Sequence, residues 1–212
     1  LQRNTSGKEE IEKFEEIFKS IYKIPDITVG FTLSNEEASR FEKMGGKGAT
    51  SFLLDSEEVL DCRATMGPDA FEALLKEHKY FTISNLENFS SSHPDNLLSK
   101  NLLTKDIKSV ILAPIAKNNV LLGVLEIVSS RKNELNSVNA TKLEDILPYI
   151  VTAVERNKTE YENRIKAVIQ SECTSIHPSV LWIFEKEARK FIIDLDEDGL
   201  ASFKDISFKD VY

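Results

Sequence analysis

The sequence is short of cysteine, of positive charge and of long apolar runs. Only two cysteines, Cys62 and Cys173, occur in 212 residues, and they lie far apart without a CxxC pair. We therefore expect reduced thiols in a reducing, cytoplasmic compartment and no disulfide framework. No apolar run reaches the roughly 18–20 residues that a membrane span needs, so we expect no membrane segment.

The shortage of Lys and Arg argues against two further classes of partner. The 27 basic residues are outnumbered by 35 acidic ones, which gives a formal net charge of −8. Because nucleic acids and anionic membranes are bound by clustered positive charge, we expect neither as a partner. The sequence begins with Leu1 rather than Met, so we expect it to belong to a longer protein.

Histidine is also scarce, and the sequence contains no recognisable catalytic set. His78, His93 and His177 are scattered, and none has a second ligand at metal-binding spacing. No Ser-His-Asp arrangement can be defended, and no convergent acid, base and nucleophile can be assembled. We therefore expect that the protein is not an enzyme.

What the sequence does contain is a pair of strongly apolar stretches joined by a short polar turn. Residues 110–116 and 120–128 are apolar on both faces, and Lys117, Asn118 and Asn119 lie between them. Asparagine tolerates positive φ, so this pair favours a tight hairpin. Strands that are apolar on both faces are typical of the centre of a covered sheet. Gly123 would let a neighbour pack close to the second strand.

The remaining patterns in the first two thirds of the chain predict alternating helices and strands. They predict a helix that starts at the capping box 6–9 and ends before Pro25, because apolar residues recur there at helical spacing. Further along, they predict a strand at 27–33, a short helix at 35–44, a flexible link at 45–48, a strand pair at 50–55 and 59–66, a helix opened by Gly67-Pro68-Asp69, a short strand at 80–86, a mobile polar loop at 88–99 and a brief helical turn at 97–103.

The last third is predicted to be mainly helical. A long helix is predicted over 137–172, and Pro148 should kink or split it because proline removes a backbone donor. His177-Pro178 is predicted to begin another helix, whereas residues 191–195 and 200–208 alternate like strands.

Several of these stretches, in this order, resemble those of a GAF domain. They are Phe52-Leu53-Leu54-Asp55, residues 73–86, residues 108–115, Leu122-Gly123-Val124-Leu125-Glu126-Ile127 and the helix 143–156. The resemblance implies an α/β (α+β) fold with a GAF-like central antiparallel sheet of five to six strands and helices on both faces. A long exit helix and a C-terminal extension would follow, and a pocket would lie on one face of the sheet.

The resemblance also implies a division of the chain. Residues 1–48 would be an N-terminal helix and lead-in strand that pack on the domain, and 49–156 would be its core. Residues 157–172 would form the exit helix, and 173–212 a C-terminal extension that starts a further unit. The segment 27–48 is longer than the usual link in the family, and 173–212 lies outside the domain.

The function that the resemblance implies is binding rather than catalysis. GAF domains bind small molecules or serve as dimerising signalling modules, so we expect a non-catalytic sensory or regulatory module of a larger bacterial signalling protein. Its partner would be a small-molecule ligand that the sequence does not identify. The alternative is a ligand-free structural dimerisation module. Near-heptad spacing in 143–168 favours a homodimer through the helix 137–172, although Asn157 and Pro148 interrupt that pattern.

Three polar residues are candidates for the ligand site. Arg63 projects from the polar face of its predicted strand, Asn85 ends the strand at 80–86, and Glu126 is the only charge in the run 120–128. A carboxylate on a central strand is costly unless it is paired or faces a polar cavity. Lone buried charges are rare, so the favoured interpretation places Glu126 at the solvent rim or in an ion pair with a lysine.

For two other motifs, a structural role is expected rather than metal binding or a reactive thiol. Asp194, Asp196, Asp198 and Asp205 follow the spacing of a calcium-binding EF-hand loop, but Asp205 is shorter than the usual glutamate and no partner loop exists. A β-hairpin with its turn at the acidic tip is the expected alternative, and no metal is expected. Cys62 shares a predicted strand face with apolar residues, which favours a packed core thiol over a chromophore attachment or a sulfoxide reductase thiol.

Overall fold

One antiparallel sheet of five strands organises the first part of the chain. The structure is a computed structural model that describes residues 7–35, 40–43, 50–54, 62–172, 176–199 and 201–204. The strands follow the spatial order β2-β1-β5-β4-β3. Their bounds are β1 (Thr28–Asn35), β2 (Arg40–Lys43), β3 (Phe81–Ile83), β4 (Ser109–Lys117) and β5 (Val120–Ser129).

The predicted central hairpin is confirmed. β4 and β5 pair along their whole length, and the turn residues Asn118 and Asn119 have φ values of 50° and 65°. Both strands are buried over almost all of their residues. β1 pairs with the other side of β5, and a Cβ at Gly123 would lie 2.4 Å from the Thr32 carbonyl oxygen. The missing side chain at Gly123 is therefore what allows β1 to lie so close.

The described residues also form eight α-helices. Asparagine N-caps begin several of them, with Asn85, Asn96 and Asn136 each accepting a backbone N–H through its side chain. The helices are α1 (Gly7–Tyr22), α2 (Cys62–Met66), α3 (Pro68–Phe71, continued by the π-helix Glu72–Lys76), α4 (Leu86–Ser92), α5 (Leu97–Thr104), α6 (Ser137–Ala140, continued by the 3₁₀ turn Thr141–Leu143), α7 (Leu147–Glu172) and α8 (Leu181–Asp198, preceded by the 3₁₀ turn Pro178–Val180).

Helices lie on both faces of the sheet. The ring of Phe14 on α1 meets that of Phe31 on β1 at 5.8 Å between centroids. Neighbouring residues on a strand point to opposite faces, so Thr32 and its cross-strand neighbour Val124 face the other way. On that second face the sheet packs against α2, α3 and its π-helix continuation, α4 and α5 in one apolar core, which includes Met66, Ala70, Leu74, Leu86, Leu98, Leu102, Leu112, Val124 and Val128.

The sheet edge next to β4 is only partly covered by a strand. β3 pairs with β4 from Ile83 opposite Val110 to Phe81 opposite Leu112, and the register ends there. Pro114 lies two residues after Leu112 on β4, beyond the end of that pairing. Proline has no backbone N–H, so it suits a stretch of strand with no partner on that side.

Three predicted elements in the N-terminal half are wrong. Arg40–Lys43 is strand β2 rather than part of a helix, because it pairs with the second half of β1. Cys62–Met66 is helix α2 rather than the end of a strand, and residues 50–54 contain no strand. The predicted link at 45–48, and the residues that join the predicted strand pair, lie outside the described residues.

The predicted mobile loop at 88–99 is also wrong. Asn85 and Asn96 cap α4 and α5, so the polar run is helical on both sides of a short break. The hydroxyls of Ser91 and Ser92 donate to carbonyl oxygens four residues earlier, at 2.8 Å each, and so complete the bonding of a serine-rich helix.

The predicted break near Pro148 is confirmed. The 3₁₀ turn ends at Leu143, and α7 begins at Leu147 with Pro148 as its second residue. A proline is tolerated in the first turn of a helix because its missing N–H has no intrahelical acceptor there. No described helix is long and apolar enough to cross a membrane.

The chain forms two compact units. One comprises Leu1–Met44 and Gly48–Ala153, and the other comprises Gly45–Lys47 and Val154–Tyr212. The second unit has its own small core of Ile165, Ile169, Ala188 and Ile192. The predicted strand at 191–195 is wrong, since these residues belong to α8.

Candidate functional site

Glu126 lies in the middle of the sheet and is completely buried. It stands on β5 between Gly30 of β1 and Leu112 of β4, and its exposed fraction is 0%. The interpretation that placed Glu126 at the solvent rim or in a lysine ion pair is therefore wrong. Among the buried side chains that the structure describes, Glu126 is the only Asp, Glu, Lys, Arg or His.

Uncharged donors surround the Glu126 carboxylate. Oε1 accepts hydrogen bonds from the hydroxyl of Thr32 and from that of Ser51, the latter at 3.2 Å. Oε2 accepts the backbone N–H groups of Phe52 and of Leu53, the latter at 3.1 Å. Three of these four donors come from residues 51–53, which contain no helix or strand. A carboxylate has about four acceptor positions, so these contacts fill it.

Gly30 makes the space for this arrangement. A Cβ there would lie 2.8 Å from Cδ2 of Phe52, 2.9 Å from the carbonyl oxygen of Thr50 and 3.0 Å from Oε2 of Glu126. We call Gly30, Thr32 and Glu126 the cradle, and residues 50–54 the strap that lies on it. The strap is also held by the Phe31 N–H, which donates to the Thr50 carbonyl at 2.9 Å.

The environment of Glu126 changes its affinity for protons. Burial raises the pKa of the carboxyl group, because the charged form loses its hydration. The hydrogen bonds from Thr32, Phe52, Leu53 and Ser51 favour the charged form and oppose that increase, but burial is the larger effect. The pKa of Glu126 is therefore above the ordinary value for a glutamate.

The other two predicted site residues stand in different settings. Arg63 is an exposed residue of α2, and its guanidinium lies 5.9 Å from the centre of the Phe71 ring. Asn85 caps α4 by accepting the Asn88 N–H at 3.1 Å. Each side chain thus has a structural role within its own helix region. Neither Arg63 nor Asn85 is among the donors of the hydrogen bonds to Glu126.

Sequence reasoning missed Gly30, Thr32 and the strap. A small residue and two threonines alternate on one side of β1, and that pattern signals a polar patch on a sheet face. The strap contributes the Ser51 hydroxyl and two backbone N–H groups. Because every residue except proline has a backbone N–H, those two donors leave no side-chain pattern in the sequence.

The space between the sheet and helices α2–α5, where the resemblance implies a pocket, is occupied by the apolar core. A separate groove of about 600 Å³ opens at the sheet edge. Burial and the nearby Glu144 raise the pKa of Tyr80 in its wall. The groove is lined by His78, Tyr80, Pro114, Ala116, Lys117, Glu144, Leu147, Pro148, Val151 and Thr152.

The acidic motif near the C-terminus is part of a helix. Asp194 and Asp196 lie in α8, and Arg164 donates two hydrogen bonds to Asp196, at 3.0 and 2.8 Å. The predicted hairpin turn is therefore wrong, and Asp205 lies outside the described residues. Within the part of the chain that the structure describes, no three His, Cys, Asp or Glu side chains are placed to hold a metal ion. Cys62 begins α2, but its side chain is not among those described.

No protein-family model matches the chain, and no curated protein matches it. Solved structures do match it. The GAF domain of a two-component sensor histidine kinase from Bacillus halodurans has a TM-score of 0.52 and 18% identity, over 72% of this chain and 96% of that chain.

Two further structures show lower TM-scores. The GAF domain from an Acinetobacter phosphoenolpyruvate-protein phosphotransferase has a TM-score of 0.49 and 13% identity, over 74% of this chain and 87% of that chain. A type II free methionine-R-sulfoxide reductase from Thermoplasma acidophilum has a TM-score of 0.48 and 15% identity, over 70% of this chain and 92% of that chain.

The chain has the fold of a GAF domain, and the predicted resemblance is confirmed at that level. At such low identity the likeness concerns the fold alone, since one fold hosts many functions.

Proposed function

We propose that the chain is a non-catalytic, small-molecule-binding sensory or regulatory module of a larger bacterial signalling protein in the cytoplasm. The observation that carries the proposal is the fully buried carboxylate of Glu126 on the central strand β5. Ionisable groups with perturbed pKa values concentrate at functional sites. The GAF domain with the similar fold belongs to a sensor kinase, which is consistent with a regulatory role.

Signalling by such a module would be a shift between two populations. A ligand that prefers one arrangement of the cradle and its surroundings makes that arrangement dominant. α7 begins in the same unit as the cradle and runs on to Glu172, so it would carry the change onward.

A binding role is favoured over catalysis by the burial of the polar groups. The hydroxyls of Thr32 and Ser51 are the groups that Glu126 could activate as a base, and both residues are buried, Thr32 in the cradle and Ser51 in the strap. A nucleophile needs access to its substrate as well as a neighbouring base.

Native mass spectrometry of freshly purified protein tests the proposal. We expect a retained small molecule on the wild-type chain, and weaker retention on Glu126→Gln. Asp95→Asn removes a carboxylate from an exposed position and should retain the molecule as the wild type does. A bare wild-type chain, together with a metabolite library that fails to raise its melting temperature, would contradict the proposal.

The second candidate is a ligand-free structural dimerisation module. The observation in its favour is the apolar core that fills the space between the sheet and its helices. In that case the functional state would be a homodimer formed through residues 137–172. A bare dimer whose mass does not change on dilution would support this candidate over the first.

A further inference from the structure

The groove at the sheet edge lies apart from the cradle and the strap. Its lining shares no residue with them, and all of its lining residues belong to the first unit. Its walls come from the residues before β3, from the end of β4 that β3 leaves unpaired and from the first turns of α7. Pockets of roughly 300–1,000 Å³ hold small molecules, so the groove is large enough for a small organic ligand.

Three polar side chains in the groove wall have no partner in the protein. His78, Tyr80 and Glu144 line the groove, and none of the three makes a side-chain hydrogen bond or an ion pair with a residue that the structure describes. The Thr152 hydroxyl differs, because it donates to the Pro148 carbonyl at 2.9 Å. The charge of Glu144 contributes to the raised pKa of Tyr80, so these two groups are close to one another.

Tyr22 gives an independent sign of unmet hydrogen bonding next to this wall. Its side chain is 6% exposed, and its buried hydroxyl has no hydrogen-bond partner among the described residues. Burial raises the pKa of Tyr22 and the nearby Tyr80 adds to the increase, so the two tyrosines are neighbours. Buried hydroxyls are usually paired within the protein. A ligand at Tyr80 would bring polar atoms to a region where the chain supplies too few.

The unpartnered groups define the chemistry of a ligand. The Glu144 carboxylate is a negatively charged acceptor, and the Tyr80 oxygen and a neutral His78 imidazole can each accept one hydrogen bond. An ammonium group carries a positive charge and up to three N–H donors, so it complements all three. A lysine of the same wall, Lys117, already has a partner. Apolar surface for the rest of a ligand comes from Pro114, Ala116, Leu147 and Val151.

We propose that the groove is a second binding site of the chain, and that its ligands are small organic amines in their ammonium form with an apolar body. Glu144 would pair with the ammonium group, and Tyr80 and His78 would accept its remaining N–H donors. The apolar body would lie on the end of β4 and the first turns of α7. This site goes beyond the proposed function, which rests on Glu126.

An NMR titration of the full chain tests the inference, with benzylamine as the probe. We expect saturable shifts of the Ala116 and Val151 amides, with a Kd on the order of 1 mM for so small a ligand. The Ile127 amide lies outside the groove lining and should not shift. Benzyl alcohol has nearly the same shape without the charge and should bind about fivefold more weakly. Benzoate is an anion and should give no saturable shift.

Two pairs of variants locate the binding. Glu144→Gln keeps an acceptor but loses the charge, so the Kd for benzylamine should rise about fivefold. Asp145→Asn makes the same change at the next residue, which is exposed and outside the groove lining, and should bind like the wild type. Tyr80→Phe should weaken binding about threefold through the lost hydroxyl. Tyr149→Phe is its control, because Tyr149 is 77% exposed and outside the groove lining.

Three results would overturn the inference. One is the absence of saturable shifts in the wild type, whether the groove stays empty or a second copy of the chain covers it. The others are equal Kd values for Glu144→Gln and Asp145→Asn, and benzoate binding as tight as that of benzylamine. Because this titration depends on Glu144 and the native mass spectrometry depends on Glu126, either proposal can fail while the other stands.

Discussion

At the level of single residues, Glu126 shows most clearly how burial in this fold changes the pKa of a side chain. Its pKa is raised in the folded chain, so the folded state binds the Glu126 proton more tightly than the unfolded state does. Between the ordinary value of 4.5 and the raised value, this group therefore makes the folded chain less stable as pH rises.

The first prediction follows from this sign. Glu126→Gln cannot lose a proton, so its free energy of unfolding relative to the wild type should increase as pH rises from 4.5 toward neutrality. Urea unfolding at a series of pH values measures the difference, with Asp95→Asn as the exposed control. A difference that stays constant with pH, or that changes in the opposite direction, would show that Glu126 is not the group responsible.

The second prediction concerns Gly123. A Cβ there would lie 2.4 Å from the Thr32 carbonyl, so Gly123→Ala must push β1 away from β5. We expect a loss of about 3 kcal/mol, at the upper end of overpacking effects. Gly199→Ala is the matched control, because nothing lies within 4 Å of its added Cβ and only its φ of 71° opposes the change. That control should cost about 1 kcal/mol, and equal losses in urea unfolding would contradict the close-packing argument.

The contrast between these residues shows what side-chain patterns reveal. Gly123 interrupts a run of large apolar residues, so its need for space could be predicted from the sequence. Glu126 could be recognised in the sequence as the only charge in the apolar run 120–128. Its predicted position, at the solvent rim or in a lysine ion pair, was wrong. Its partners include the amides of Phe52 and Leu53, and amides leave no mark on residue identity.

Elements were predictable where one pattern dominated. The β4–β5 hairpin, α1 and β1 follow from long apolar periodicities that leave little choice. β2 and α2 are short, and contacts from elsewhere in the fold decide their state. The acidic end of α8 fits periods of both 2 and 3.6, and packing of Ile192 on the second unit's core selects the helix.

The third prediction concerns the turn of that hairpin. Both Asn118 and Asn119 have positive φ, the conformation of a type I′ turn. Asn119→Gly should therefore be neutral or raise stability by up to about 1 kcal/mol. Asn119→Val should lower stability by about 1–2 kcal/mol, since a β-branched residue is strained at positive φ. Thermal unfolding of both variants measures this, and equal effects would argue against the positive-φ turn.

At the scale of the whole molecule, the two units can be followed by different probes. Trp182 is the only tryptophan of the chain and lies on α8, in the second unit. Its fluorescence therefore reports on that unit, whereas amide exchange in β4 and β5 reports on the sheet.

The fourth prediction uses this separation. Ile192 is fully buried in the second unit's core, so Ile192→Ala should lower the stability seen by Trp182 fluorescence by about 2–4 kcal/mol. Ile193→Ala makes the same change at the next, half-buried residue and should cost clearly less. Equal shifts of the urea midpoint in the two variants would contradict the assigned core.

Pro114 has a consequence that reaches beyond one molecule. β3 ends opposite Leu112, so the rest of β4 presents an edge without a strand partner among the described residues. Bare edges of apolar strands are where chains add to one another and form aggregates. Pro114 takes one backbone donor away from that edge, so an incoming strand cannot complete its ladder there. Pro114, which lies in one of the stretches that resemble a GAF domain, thus opposes aggregation of the chain through this edge.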